Sequence, residues 1–143
     1  MKRLNEQYSM GPNTINEGSD ITYLGMEICQ KKDEGVIHLT QERHLEKLLL
    51  SWRVDGNYRS PHGSELFDLG EHIIEDEQTR NRFRSNVMKI AYLEHRTRPD
   101  ILLACNFLAS QITRTTTKSL RDLDRVLNYS SKTRGRGLQY QRE

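Results

Sequence analysis

Ile21-Thr22-Tyr23-Leu24-Gly25-Met26-Glu27-Ile28, followed after the polar tract at 30–35 by Val36-Ile37-His38-Leu39, is the stretch on which the fold turns. Both runs are rich in β-branched and aromatic residues. A polar turn of about four to six residues containing Gly35 separates them, so the pattern predicts a β-hairpin. Downstream, Thr40 carries a hydroxyl able to accept a free N–H in a first helical turn. Leu45, Leu48, Leu49 and Trp52 then fall at i, i+3, i+4 and i+7, one stripe on a helix of about ten residues. Trp52 is expected to close that helix against the hairpin.

Periodicity disappears between Val54 and about Thr79, where Asp55-Gly56-Asn57, Ser60-Pro61-His62-Gly63 and an acidic run break the pattern. Long structureless segments are unusual inside a compact domain, so residues 54–79 read as a loose connector that splits the chain. Beyond it Phe83, Val87, Ile90 and Ala91 keep helical spacing as far as Arg96-Thr97-Arg98-Pro99-Asp100-Ile101. Proline cannot continue a helix but suits the first position of a new one. One helix stops there and another starts, with Thr97 or Arg98 as cap and Asp100 at the positive end of the new helix. Ile101, Cys105, Leu108 and Ile112 give that helix a buried face. Leu120, Leu123, Val126 and Leu127 give the last one its stripe, after a cap at Ser119-x-x-Asp122, Thr116 or Thr117. Gly137-Leu138-Gln139-Tyr140 reads as a final strand.

The expected architecture is α+β: a polar leader (1–20), an N-terminal β-hairpin plus helix (21–53), the connector (54–79), then a three-helix subdomain with a short terminal strand (80–143). Composition agrees with a thin core. The chain has 143 residues and 16.8 kDa, 34% hydrophobic and 29% charged, with a mean hydropathy of −0.82. Leu, Ile, Val and Phe still make up 33 of the 143 residues, above the roughly 20% below which chains stay disordered. A net charge of +2 is too balanced to mark a nucleic-acid binder by itself. Cys29 and Cys105 form no CxxC pair and no disulfide framework. The setting expected is intracellular, cytoplasmic or nuclear, with no targeting signal and no membrane span.

Catalytic motifs are scarce. Two-metal nucleotidyl transfer needs converging carboxylates, whereas Asp33-Glu34 and Glu75-Asp76-Glu77 sit in turn-like or acidic surroundings and Asp122/Asp124 point apart on a helix. The five histidines form no HExxH pair, and there is no glycine-rich phosphate loop or GxSxG elbow. No catalytic or metal-ligating residue is therefore assigned. Lys89, Arg96 and Arg98 flank the proline boundary and Lys132-Thr133-Arg134-Gly135-Arg136 forms a second basic cluster. Both can meet phosphates in a salt-dependent way, although Lys132–Arg136 reads first as solvated surface.

Taken in order, Tyr23–Ile28, Gly35–Gln41, Ser60-Pro61, Ala91-Tyr92-Leu93 with Arg96–Ile101, Arg125–Tyr129 and Gly137–Tyr140 resemble the C-terminal palm and thumb of a copia-type retrotransposon reverse transcriptase. The most specific element is Thr97-Arg98-Pro99-Asp100-Ile101 behind Tyr92-Leu93. The resemblance implies part of an RNA-directed DNA polymerase from a transposable element's polyprotein. Its hairpin would hold the primer end, placing Leu24, Gly25 and Met26 at a turn toward the nucleic-acid backbone, where a residue without a side chain permits close approach. The later helices would be the thumb, with Lys89, Arg96 and Arg98 as candidate nucleic-acid-binding residues.

The family's catalytic Tyr-x-Asp-Asp turn would lie upstream of Met1, so the resemblance implies a fragment inactive alone. It implies no cofactor in this chain, Mg²⁺ in the complete polymerase, and as partners an RNA–DNA or DNA template–primer together with the missing palm, fingers and RNase H portions. The sequence departs from the family at Met88, where a thumb-helix glycine is usual, and at Ser130-Ser131-Lys132, where Leu-Lys-Gly is usual. The alternatives are a non-catalytic module binding nucleic acid or protein, and a non-functional retroelement relic.

Overall fold

A computed structural model describes residues 20–143. The polar leader lies outside the described residues except for Asp20, which opens the first strand. The fold is mixed α+β. Strands β1 (Asp20–Tyr23), β2 (Met26–Lys31), β3 (Val36–Thr40) and β4 (Leu138–Gln141) form one antiparallel sheet in the order β1-β2-β3-β4.

The Ile21–Ile28 run, read as one strand, is two. Tyr23 pairs with Met26 across a two-residue turn at Leu24-Gly25, and both turn residues have positive φ, 48° and 77°. That is the hairpin geometry whose twist matches the strands it joins. Leucine is an uncommon first residue for it, so propensity reads straight through the turn. The second hairpin, β2–β3, is the one the β-branched runs predict. Lys31 pairs with Val36, and Gly35 takes φ 64°.

Partners directly opposite in the register share a face. Ile21, Tyr23, Met26, Ile28, Ile37, Leu39, Leu138 and Tyr140 therefore line one side of the sheet, and Glu27, Cys29, His38, Thr40 and Gln139 lie on the other. None of the eight apolar residues is buried, and none belongs to the core. Val36 is the one buried residue in the four strands.

Four helices follow the second hairpin among the described residues: α1 (Glu42–Leu49), α2 (Glu77–Arg96), α3 (Leu102–Ser110) and α4 (Thr117–Lys132), with a 3-10 turn at Pro99–Ile101 joining α2 to α3. Thr40 is not the cap of α1; it stays in β3, and Gln41 takes the position with no side-chain cap bond. Asp76 caps α2 by accepting from the Thr79 N–H at 2.8 Å. At α4 the box is Thr116 with Ser119, not Ser119 with Asp122, because both reciprocal bonds form there.

The core joins Leu45 and Leu48 of α1 to Phe83, Val87 and Ile90 of α2, to Cys105 and Leu108 of α3 and to Leu123 and Leu127 of α4. Burial pushes the Cys105 thiol well above its ordinary pKa, as expected for an inert core cysteine. The two halves read as separate share this core, and β4 returns to complete the first half's sheet. Trp52 packs against the helical core rather than closing α1 on the hairpin, and its indole N–H donates to Asp124 of α4 at 2.8 Å.

The connector has little regular structure but is not loose. The Gly56 N–H donates to Asn128 at 2.6 Å, Arg125 to the Ser60 hydroxyl at 3.0 Å and Lys118 to the Leu66 carbonyl at 3.2 Å. Ile73 bridges Thr116. The polar side of α4 thus satisfies the connector's backbone, which a periodicity search cannot register. Among the described residues no helix is long and apolar enough to cross a membrane.

Candidate nucleic-acid interface

The β1–β2 turn is docked onto α2 through Tyr92. Its hydroxyl donates to the Leu24 carbonyl at 2.6 Å, across 68 residues of sequence. Gly25 sits against the same hydroxyl, where an added Cβ would come within 3.2 Å. From α1, the His44 ring packs 4.9 Å from the Tyr92 ring and its Nε2 donates to the Lys89 carbonyl at 3.0 Å. One turn further along α2, the Arg96 guanidinium lies 4.7 Å over the Tyr92 ring, within reach of a cation–π interaction. Tyr92 is the hub joining turn, α1 and basic helix face.

Of the residues expected to meet nucleic acid, Leu24 and Gly25 form the turn, with Leu24 56% exposed. Met26 does not share it. It is the first residue of β2, and its side chain lies on the apolar sheet face. Lys89 is exposed and Arg96 half-buried on the surface of α2. The structure therefore brings Leu24, Gly25, Lys89 and Arg96 to one junction.

Arg98 is a correction. It is 1% exposed and wholly engaged inside the protein. Its Nε and Nη2 clamp Asp100 at 2.8 and 2.9 Å, and Nη1 and Nη2 reach the carbonyl and hydroxyl of Thr133 at 3.1 and 2.7 Å. A guanidinium so placed cannot reach a phosphate. Burial by itself would raise the Asp100 pKa, but the Arg98 bonds and charge and the Tyr129 hydroxyl outweigh it and hold the carboxyl below its ordinary value.

Sequence reasoning missed Tyr92 and His44 as parts of the junction, and Arg80 and Arg84 as parts of the helix face. Arg80, Arg84, Met88, Tyr92 and Arg96 recur every fourth residue, so each neighbours the next in a row that winds across the solvent half of the helix. Met88, 49% exposed, occupies its middle. Arg80, Arg84, Lys89 and Arg96 have no ion-pair partner within 4.0 Å among the described residues. The four-residue repeat was the available signal. Among the described residues no three His, Cys, Asp or Glu side chains gather as metal ligands. Asp122 is bound to Lys118 and Asp124 to Trp52.

Gly25→Ala forces a Cβ into a left-handed backbone and against Tyr92, for an expected loss of about 1–2 kcal/mol. Tyr92→Phe removes one partly solvated hydrogen bond and is expected to lose about 0.5–1 kcal/mol. Hydrogen exchange checks both: the amides of β1 and the turn should exchange faster while those of α4 do not. Uniform acceleration would deny the turn its specific anchor. No protein-family model, curated protein or solved structure matches this chain.

Proposed function

We propose that residues 20–143 are the palm-end hairpin and thumb of a copia-type reverse transcriptase and serve to hold the template–primer. The observation that carries this reading is the tight turn at Leu24-Gly25 fastened by Tyr92 to a helix whose exposed side bears four cations without ion-pair partners among the described residues. Gly25 adds no side chain beside the exposed Leu24 and so lets one strand's backbone approach the turn, while the cations on α2 position a duplex through its phosphates without reading sequence. Arg80 and Arg84 join Lys89 and Arg96 in that role, and Arg98 belongs to the scaffold.

Nucleotide addition is not assigned to these residues. Two Mg²⁺ ions would need converging carboxylates, and the acids nearest one another on α4 are already tied to Lys118 and Trp52. In the proposed setting the ions belong to the complete polymerase. The apolar sheet face supports a further partner, since eight uncharged side chains on one surface favour an apolar cover. The remainder of the palm is the occupant this reading names.

A template–primer carrying a photo-crosslinker at the primer's 3′ terminus tests the proposal. Crosslinks are expected at Leu24 and Gly25, with no primer extension by this chain in Mg²⁺. A non-catalytic module gripping duplex anywhere along its length would instead crosslink without regard to the primer terminus. Extension above a heat-inactivated control, or absence of binding, would overturn the assignment.

A further inference from the structure

The basic stretch at 132–136 is not used by the hairpin–helix junction, yet it closes a groove of about 310 Å³ on the polar side of the sheet. His38 and Gln139, paired across β3 and β4, form one wall. Thr97 and Asp100, at the end of α2 and the 3-10 turn, form another, and the loop carrying Arg136 forms the third. That loop is held close to the sheet. A Cβ on Gly137 would collide with the Leu39 carbonyl oxygen, so only glycine lets the chain pass there.

We propose that this groove binds a phosphate group, with Arg136 as its anchoring cation. Arg136 is aimed by a relay: its Nη1 donates to the Tyr129 hydroxyl at 2.7 Å, which donates to Asp100 at 3.0 Å. Asp100 is the sole carboxylate on the walls, and the Arg98 guanidinium and the Tyr129 hydroxyl already pair with it. Arg136 therefore keeps its own charge and its remaining N–H groups, with no carboxylate within 4.0 Å among the described residues. Glu42 approaches the same loop, its Oε1 3.8 Å from where a Gly135 side chain would begin.

The sheet wall also presents donors. The Thr97 hydroxyl gives its proton to the Gln41 side-chain oxygen at 3.0 Å, so the donors the groove offers come from its other two walls. His38 and Gln139 add N–H groups from the sheet. Donors arriving from separate walls suit the diverging oxygens of a tetrahedral anion better than a planar carboxylate, and Arg–phosphate pairing is among the stronger charge-assisted contacts. Nothing in this site uses Leu24, Lys89 or Arg96, so it stands apart from the template–primer reading.

The test is a titration of the full chain with inorganic phosphate, followed by amide chemical shifts at constant ionic strength, with chloride as the matched control. Saturable shifts at His38, Gly135, Arg136 and Gly137 are expected. Arg136→Gln should weaken binding about tenfold or more, the loss of one charge-assisted contact. His38→Asn, which leaves Tyr129 untouched, should weaken it by less and keeps the test open should Arg136→Gln misfold. An oligonucleotide with 5′- and 3′-hydroxyl ends distinguishes the sources: shifts at the same amides mark a nucleic-acid backbone phosphate, and shifts with inorganic phosphate alone mark a free or terminal phosphate. Equal shifts with chloride, no saturation, or indifference to both variants would overturn the site.

Discussion

Replacing Arg98 with alanine is expected to destabilise the fold by about 2–4 kcal/mol, because the guanidinium is 1% exposed and its charge-assisted bonds and packing volume are lost together, although Asp100 stays partly solvated. Against a total stability of about 5–15 kcal/mol, that is a large share for a marginal domain. Alanine removes four hydrogen bonds at once. The Thr133 carbonyl and the Asp100 carboxylate lose their donors, and the volume of a long side chain beneath Tyr129 is left empty. Arg98→Met refills that volume and should lose less, although Asp100 keeps only Tyr129. Urea unfolding at neutral pH checks the order wild type, Met, Ala; equal midpoints would refute the clamp.

The pH dependence of the clamp has a definite sign. Asp100 is held below its ordinary value in the folded state. Its contribution is therefore present above the unfolded carboxylate pKa, about 3.9, and is lost as the pH falls through the lower folded value. Wild type should lose stability on acidification below about pH 4 through this group. In the arginine variants that part of the slope should shrink, since the shift they abolish is its source. An unchanged acid slope in Arg98→Met would place the titrating groups elsewhere.

The second large effect is on affinity. If Arg80, Arg84, Lys89 and Arg96 each neutralise one phosphate, the logarithm of the binding constant should fall with the logarithm of salt at a slope of about −3.6. Between about 50 and 200 mM salt, binding to an RNA–DNA hybrid should then weaken by roughly a hundredfold. Arg80→Ala with Arg84→Ala should flatten the slope by about two units, and Lys89→Ala with Arg96→Ala by a similar amount. Fluorescence anisotropy over a salt series measures all three slopes. A slope near zero, or one unmoved by either pair, would remove α2 from the interface. Arg98 supplies the control: a variant that still folds should change stability and leave the slope alone.

Legibility followed the range of the interactions. The second hairpin, the four helices and the core stripes were readable because side-chain periods of two and about 3.6 are local properties. Side-chain periods did not show the β1–β2 turn, which only the family resemblance had placed at Leu24, Gly25 and Met26; the register of Tyr23 with Met26 narrows it to Leu24-Gly25, with Leu24 left-handed. Lys89 and Arg96 were readable as basic residues flanking Pro99. Tyr92 was quoted in the family resemblance, yet its role depends on Leu24, 68 residues earlier. Arg98 shows the same limit from the other side: its charge is plain in the sequence, but its burial depends on Thr133, 35 residues later.

By itself the sequence determined which segments become strands and helices, where Pro99 interrupts them and which faces are apolar, because those outcomes rest on backbone sterics and neighbours within about four residues. Tertiary structure alone decided that the connector is fastened to α4, that β4 returns to β3, and that Arg98 supports the fold while Lys89 and Arg96 face outward. The reason is physical: a charge is spent or available according to which distant donors, acceptors and apolar groups surround it, and that neighbourhood exists only once the chain has folded.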